Sequence, residues 1–564
     1  MGDARYWWGG LSSRESLWAS TRVGLHVLSL LAMASRFLPV TLLFLWVGLG
    51  LTACGHGERP QARPETSAAP NQAPAVVRLA FLTDLQGYLE PCGCQSTSLG
   101  GIDRAAAELR AFRVAHGPTP LLAVGATLFE DGGLHQRDNG AARTQEIWKA
   151  ETIVDILGDL STAAIVSGSG DELFGRDTLQ ALRERAGFPL FSPPEDTGAE
   201  GGVRAMTIKA GPHVVGVLAI TAAEQADVPI ARWSKQAAQE AAALRAQGAV
   251  LVVGLTVLPA RETRRLATSV AGLDFVVAAG RDRDEASPPE QLGQTTLLTG
   301  PRHGRGLLLL EATVHERAAA FRDESAWTRA AEEASRKALA ADLEARIATW
   351  ERDPQVDSKL LATQKQRLED LRAPSKDEGQ AAPNRFEVQD LSLPTSGRKD
   401  PHTSERMATY DARVNRHNRE AFADRKPPAV LPGGASYIGS EACKGCHQPA
   451  FAWWTQHAHG RAYDTLRKRN KEYNLSCVGC HVTGYEQPGG STVTHNEGLI
   501  HVGCESCHGP GSLHLGDPKQ IVSQPAETVC VQCHNHEHSD LFEFDAYRKR
   551  LLAPGHGLPP AAAP

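Results

Sequence analysis

The chain has 564 residues, with 59 Lys and Arg against 65 Asp and Glu and a formal net charge of -6. That length exceeds one ordinary domain, and the mild acidity gives no footprint for nucleic acid. Eleven cysteines are too few for a disulfide scaffold of this length, and eight of them fall late in the chain as pairs separated by two residues.

Residues 1–54 read as an export and lipidation segment, not a fold element. Met33 reads as the start. Arg36 gives a short basic beginning, Phe37 to Leu51 is an apolar run, and Thr52, Ala53 and Cys54 follow. Small residues before that cysteine suit a peptidase, and the thiol of Cys54 suits a thioether-linked lipid. The stretch resembles the lipobox of bacterial lipoproteins. The other reading is one N-terminal transmembrane helix, and both put the rest of the chain outside the cytoplasm. Acyl chains anchor a protein firmly only when more than one is present. Residues 55–75, rich in Pro, Ala, Gln and Glu, form a tether with too little apolar content to pack.

Residues 76–315 alternate short apolar runs with helical patterns. Strands are expected at Val76–Leu82, Leu121–Val124, Ala163–Val166, Val214–Ile220, Val250–Val253, Phe275–Ala278 and Leu307–Leu310. Helices are expected at Ile102–His116, Glu146–Leu157, Ser234–Gln247 and Ala260–Val270. Runs apolar on both faces, alternating with helices, specify an α/β domain with covered sheets. In residues 323–373, Leu339, Leu343, Ile347 and Trp350 recur at helical spacing. Leu361, Leu368 and Leu371 repeat the pattern after Pro354, which predicts an antiparallel helical hairpin. Residues 374–434 are polar and Pro-punctuated and read as a linker holding one short helix near Ser404–Phe422. Residues 551–564, rich in Pro, Gly and Ala, read as a disordered tail.

Between these last two segments, residues 435–550 carry four Cys-x-x-Cys-His motifs. They are Cys443, Cys446 and His447; Cys477, Cys480 and His481; Cys504, Cys507 and His508; and Cys530, Cys533 and His534. In such a motif the two thiols add to the two vinyl groups of haem, and the adjacent histidine lies beneath the iron as proximal ligand. Four covalently bound haems c are therefore expected. Zinc also takes Cys-x-x-Cys pairs, but a zinc site gives no reason for a histidine after every pair. Each pair is also too close in sequence to staple a fold.

Seven further histidines, His457, His459, His495, His501, His514, His536 and His538, are candidates for the sixth position on iron. Four irons need at most four of them. His514 follows His508 across Gly509, Pro510 and Gly511, a turn that keeps it from the far face of its own haem but lets it reach a neighbouring one.

Several features beside the motifs point to a family. They are Tyr437 to Cys443, Trp454 to His459, Ala462 to Leu466, Cys480 to Tyr485 with Pro488 to Gly490, and Gly503 to His514. Asn535, Glu537, His538 and Phe542 complete the set. Together they resemble the tetrahaem cytochromes of the cytochrome c-554 type, over Tyr437 to Tyr547. The resemblance implies electron transfer among stacked haems in a small, mostly helical domain. It marks His457, His459, His514 and His538 as distal ligands. Some members of that family leave one haem five-coordinate, which permits substrate binding.

The α/β region has landmarks of its own: Leu82, Thr83, Asp84, Gln86 and Gly87; Gly100 to Arg104; Leu121 to Gly125; and Gly272 to Gly280. They resemble the 5'-nucleotidase-like metallophosphoesterases, whose chemistry needs two metal ions held at strand ends. Matched position by position, Asp84 is the retained first ligand. Gln86 stands for a histidine, Ala126 for the bridging aspartate, Gly170 and Asp171 for an asparagine and histidine, Thr256 for a later histidine, and Arg281 and Arg283 for a terminal histidine pair. His213 and His303 fall elsewhere in the pattern. One ligand of about seven does not hold two ions, so no dinuclear metal is expected, and the two arginines suit an anion instead. Cys92 and Cys94, after Glu90 and Pro91, are either plain thiols or a soft-metal or redox pair.

The expected protein is multidomain: an α/β metallophosphoesterase-like sandwich, a helical hairpin, and a mostly α multihaem cytochrome c domain. It is expected to sit on the periplasmic face of a bacterial membrane as a lipoprotein. Its expected partners are other periplasmic or membrane redox proteins, not nucleic acid, with the sandwich serving for binding or docking. The alternatives are an active phosphohydrolase with an attached haem domain, and a multihaem oxidoreductase for a small nitrogen or sulfur compound.

Overall fold

The computed structural model describes residues 73–91, 99–130, 140–192, 202–222, 230–279, 285–352, 356–373, 383–535, 538–539 and 541–558. Cys54, Cys92, Cys94, Arg281, Arg283 and His536, with the export segment and most of the tether, lie outside these residues. Residues 72–564 form one compact unit.

β1 (Ala75–Thr83) shows why the first sheet has two covered faces. Val77, Leu79 and Phe81 point into one apolar cluster, and Ala80 and Leu82 into another. α1 (Ile102–His116), β2 (Leu121–Gly125), α2 (Gly140–Asp159), β3 (Thr162–Ser167), α3 (Arg176–Ala186) and β4 (Leu190–Phe191) follow, with β1 to β4 parallel in order. A second sheet is then built from β5 (Gly202–Ala210) and β6 (His213–Thr221), an antiparallel pair, then α4 (Ile230–Ala246), β7 (Leu251–Thr256), α5 (Ala260–Ser269) and β8 (Phe275–Ala278). β9 (Ser287–Leu292) and β10 (Thr295–Thr299) close it in the order β5-β6-β7-β8-β10-β9. β11 (Gly306–Val314) returns to the first sheet antiparallel to β1, with Phe81 opposite Leu308.

After β12 (Phe321–Asp323), α6 (Ala326–Trp350) and α7 (Ser358–Arg372) make the hairpin, packed on itself through Ala340, Leu343, Ile347 and Leu368. Leu339, expected in that stripe, is exposed. The reading of 374–434 as a linker is corrected. β13 (Asn384–Ser392) is inserted between β11 and β12, giving the seven-stranded order β12-β13-β11-β1-β2-β3-β4. α8 (Pro401–Ala421) starts where Asp400 accepts the Thr403 N–H at 3.0 Å with proline in the first turn. It lays Met407, Tyr410 and Val414 on the outer face of the first sheet.

The result is four layers. The two sheets share a core of β1, β2, β6, β7, β8, β11 and β13 side chains. α1, α2, α3 and α8 cover one outer face, and α4 and α5 the other.

The remaining chain is mostly short helices: α9 (Ser440–Cys443), α10 (Gln448–Trp454), α11 (Ala462–Arg467), α12 (Val478–His481), α13 (Cys504–His508), α14 (Glu527–Cys530) and α15 (Phe544–Leu551). It is fixed to the sandwich by a shared cluster in which Ala142 of α2 and Phe422 pack on Tyr463, Leu466, Leu475 and Val478. The segment read as a disordered tail is also corrected in part. Ala553–Pro554 and Gly557–Leu558 pair with each other around His556. Among the described residues no helix is long and apolar enough to cross a membrane.

Candidate functional site

The carboxyl ends of β1, β2, β3, β7 and β8 meet where the metallophosphoesterase-like pattern places its metal ligands. Asp84, just past β1, is fully buried and accepts the Ala126 N–H at 3.2 Å. Gly125 has φ +101, and a side chain there would meet the Asp84 carboxylate at 2.1 Å. Only glycine lets the loops close this far. Gln86 Oε1 accepts a hydrogen bond from His303 Nε2 at 2.9 Å, and the His303 N–H donates to the Asp84 carbonyl at 2.7 Å. His303 also stacks on Tyr88, with centroids 4.2 Å apart. The placement of His303 away from this loop is therefore corrected: the return from β10 to β11 brings it there. His213 does lie at the far end of β6. Asp84, Gln86 and His303 all take left-handed backbone angles, a concentration of strain that marks a built loop cluster.

The position matched to a histidine ligand holds Asp171, and it works as an internal clamp. Its Oδ1 accepts the N–H groups of Thr127 at 2.9 Å and Leu128 at 2.6 Å, and its Oδ2 accepts the Ser167 hydroxyl at 3.0 Å. Burial pushes its pKa up to about 7, against the pull of these donors. Ala126 offers only a methyl group, and the Thr256 hydroxyl accepts the Leu258 N–H at 3.1 Å. Among the described residues, no group of three or more His, Cys, Asp or Glu side chains is arranged to hold a metal ion.

The second site is the set of four motifs. The Cys443 thiol donates to Cys504, which keeps the Cys443 pKa high and lowers that of Cys504 to about 6. The first and third motifs are thus in contact. Cys507 and Cys530 are near enough to interact electrostatically, which sets the fourth motif beside the third.

Three pairs of histidine rings stand at nearly one separation, with interplanar angles of 24°, 56° and 88°. His447 and His514 are 6.3 Å apart by centroid, His459 and His534 6.1 Å, and His508 and His556 6.2 Å. Imidazole nitrogen sits about 2 Å from a bound metal. Adding the distance from that nitrogen to each ring centre, two rings on opposite faces of one iron stand roughly 6.3 Å apart.

Two of these rings, and the motif histidine His481, have their other nitrogen engaged by a backbone carbonyl. His481 Nδ1 donates to the Ala462 carbonyl at 2.7 Å, His508 Nδ1 to Val522 at 2.6 Å, and His556 Nδ1 to Leu551 at 2.7 Å. A carbonyl only accepts, so each Nδ1 carries the proton and each Nε2 is left for iron. His501 does the reverse: its Nδ1 accepts the Tyr463 N–H at 3.1 Å. His457 accepts the His459 N–H on Nδ1 at 3.3 Å and packs on Trp453, so it supports His459. Burial, then His457 and His534, lower the His459 pKa to about 4, which keeps the ring neutral. His538 sits in the turn after the fourth motif, its N–H on the Asn535 side chain at 2.9 Å.

Sequence reasoning missed His556. Its signal was the flanking glycines: Gly555 has φ +79, and a side chain there would strike Pro449 of α10 at 2.4 Å. Trp453 stacks on the His556 ring, with centroids 5.2 Å apart.

The covering of this region is also informative. Among the described residues, no apolar side chain between residues 500 and 552 is buried, and Leu515, Leu541 and Val522 are 70%, 61% and 51% exposed. A stretch with two motifs and no core of its own needs a large apolar group to pack around. The residues present therefore fit haem.

Comparison with known proteins agrees. Residues 442–509 match the family described as cytochrome c554 and c-prime. Cytochrome c-554 of Nitrosomonas europaea is 33% identical over 106 residues, covering 16% of this chain and 45% of that protein. The chain thus spans less than half the length of this curated relative. It carries a cytochrome c554-type segment near its C-terminus. The 5'-nucleotidase precursor of Thermus thermophilus is structurally similar, with TM-score 0.38, 14% identity, and coverage of 63% of this chain and 61% of that one. The calcineurin-like phosphoesterase YfkN of Bacillus subtilis gives TM-score 0.32, 16% identity, and coverage of 43% and 85%.

Proposed function

We propose that this protein is an exported, membrane-tethered c-type cytochrome that carries electrons through four haems, with a sandwich domain that no longer hydrolyses phosphoesters. The observation that carries the haem reading is the recurrence of histidine pairs near 6.2 Å, each including one motif histidine. Bound haem supplies a one-electron centre whose potential its axial ligands and surroundings set. The eight motif cysteines would attach the four groups, with His447, His481, His508 and His534 beneath the irons. His514, His459 and His556 would cap His447, His534 and His508 from the far side. Each capping residue lies outside the motif it serves, so the ligands tie the motifs together. Saturated irons favour electron transfer over substrate binding.

The loss of hydrolysis rests on the cleft. Beside Asp84, the residues Ala126, Thr256 and the Asp171 clamp do not supply the ligands that two metal ions need. The tether rests on the sequence around Cys54, and export follows from the chemistry that attaches haem c. Other periplasmic or membrane redox proteins are the partners.

A second reading has one supporting observation. Among the described residues no ring stands opposite His481 at the separation of the other three pairs. An iron open on that side would let the second haem bind a small nitrogen or sulfur compound.

The purified full-length protein tests the proposal, and a spectral shift of a high-spin haem on adding a small nitrogen or sulfur compound favours the second reading. Four covalent haems per chain, three low-spin and one high-spin, are expected, with no nucleotide hydrolysis above buffer in the presence of Mn or Zn. His556→Ala should turn one further haem high-spin while all four stay attached. A colourless zinc protein, or metal-dependent turnover abolished by Asp84→Ala, would reverse the proposal.

A further inference from the structure

Three charges lie together where the sandwich meets the second motif, Asp411 buried and Glu90 and Lys471 partly buried. Lys471 lies on the segment that leads into Cys477. Its ammonium is 2.7 Å from Glu90 and 3.4 Å from Asp411, and its side chain is 15% exposed. Glu90 lies on the loop that begins at Asp84, and Asp411 belongs to α8, so both carboxylates come from the sandwich. Arg469 stands 3.8 Å from Glu90 on the more exposed side, and Lys399 pairs with Asp103 at 2.9 Å across the adjoining cleft. The Lys471 ammonium is within electrostatic reach of the Cys477 sulfur as well as of both carboxylates. Burial opposes its charge, but Glu90 and Asp411 outweigh burial and hold its pKa above the ordinary lysine value.

We propose that Glu90, Lys471 and Asp411 are an electrostatic joint through which the sandwich sets the reduction potential of the haem at Cys477, Cys480 and His481. The inference rests on the haem reading above. A ferric haem carries one more positive charge than a ferrous one. Carboxylates nearby therefore stabilise the oxidised form, and an ammonium nearby stabilises the reduced form. Charges act strongly here because the joint is largely shielded from water. The lysine is on the haem side and its counter-charges are on the sandwich side, so a movement of the Asp84–Glu90 loop changes the field at one haem. An ion pair that served only to hold the domains together would make no distinction between the four haems.

The test uses the full-length holoprotein, titrated stepwise with dithionite under mediators while the haem absorbance is followed. His481→Met identifies the component that belongs to the second haem. Glu90→Gln should raise that component, Asp411→Asn should raise it too, and Lys471→Met should lower it, with the other three unmoved. Shifts of the same sign for removal of acid and of base, shifts spread over all four haems, or no shift at all would overturn the joint. Should Lys471→Met fail to fold, the two acid-to-amide variants still decide it, because both must move the same haem upward. The haem count of the unaltered protein separates the two proposals. Fewer than four covalent haems overturns the haem reading, whereas four haems with unmoved potentials overturns the joint alone.

Discussion

Asp171 shows how the loops at the strand ends hold a carboxylate away from water. In a metal-bound cleft a cation would neutralise the acidic groups. Here one carboxylate, completely buried, is held by two backbone N–H groups and a hydroxyl. Its folded pKa of about 7 lies above the roughly 4 of an unfolded aspartate. The folded state therefore retains a proton that the unfolded state releases. Stability from this group is greatest below about pH 4 and declines as pH rises to about 7. Asp171→Asn keeps an acceptor for the Thr127 and Leu128 amides and a donor for Ser167, so it should fold and lose that decline. Denaturant midpoints measured from pH 5 to 8 should be flatter in the variant than in the parent; an unchanged slope removes Asp171 as the cause. Asp171→Ala strands two buried amides and should cost on the order of 2–4 kcal/mol. The motif residues were readable from sequence because covalent haem chemistry fixes their spacing. His303 and His556 were not, because each reaches its site only after the chain has folded back.

The same distinction holds for elements. β1, β2, β7 and β8 are buried on both sides, so their sequences are continuous apolar runs that announce them. β13 is not of this kind. Asn384, Phe386 and Val388 are buried while Arg385, Glu387 and Gln389 are exposed, and six of its nine residues are charged or polar. α8 likewise buries one stripe among many polar residues. Their composition resembled a linker because each rests one face on a core made by other parts of the chain. Both are structural members nonetheless. β13 holds β11 along eight residue pairs, Gly306–Ser392 through Thr313–Arg385, and separates it from β12. A chain ending at Arg372 leaves the edge of β11 unpaired and strips Met407, Tyr410 and Val414 from the outer core. Such a chain should lose cooperative thermal unfolding by circular dichroism, whereas one ending at Ala429 should keep it. Equal cooperativity in the two would show that β13 and α8 are ornaments.

At the scale of the whole molecule, the sandwich and the haem region are joined by a buried polar hub as well as by apolar contact. Gln145 of α2 is 1% exposed and uses all of its amide. Its Oε1 accepts the Leu475 N–H at 3.0 Å and the Asn418 side chain at 2.9 Å. Its Nε2 donates to Asn474 at 3.0 Å and to Ser476 at 3.3 Å. Asn415 adds two more links, accepting the Tyr473 N–H at 3.0 Å and bonding the Asn470 side chain at 2.6 Å. A buried network with this many shared bonds specifies one arrangement, because any displacement leaves several groups without partners at once. It also means that Leu475, in the lead-in to Cys477, is positioned by a residue 330 places earlier in the chain. The holoprotein should therefore unfold as one unit, with haem absorbance and far-ultraviolet circular dichroism changing at the same temperature. Gln145→Ala leaves the Leu475 amide and two asparagine side chains short of a partner, at a cost of about 2–4 kcal/mol to the joint. Neither half loses any of its own apolar core by that change. The two signals should then separate, the haem absorbance changing at a lower temperature than the sandwich. Gln145→Glu keeps the two acceptor contacts, loses the two donor contacts and buries a charge, so it should separate them as well. Coincident transitions in both variants would show that the apolar contact of Ala142 and Phe422 with Leu475 and Val478 is enough to make the two halves one body.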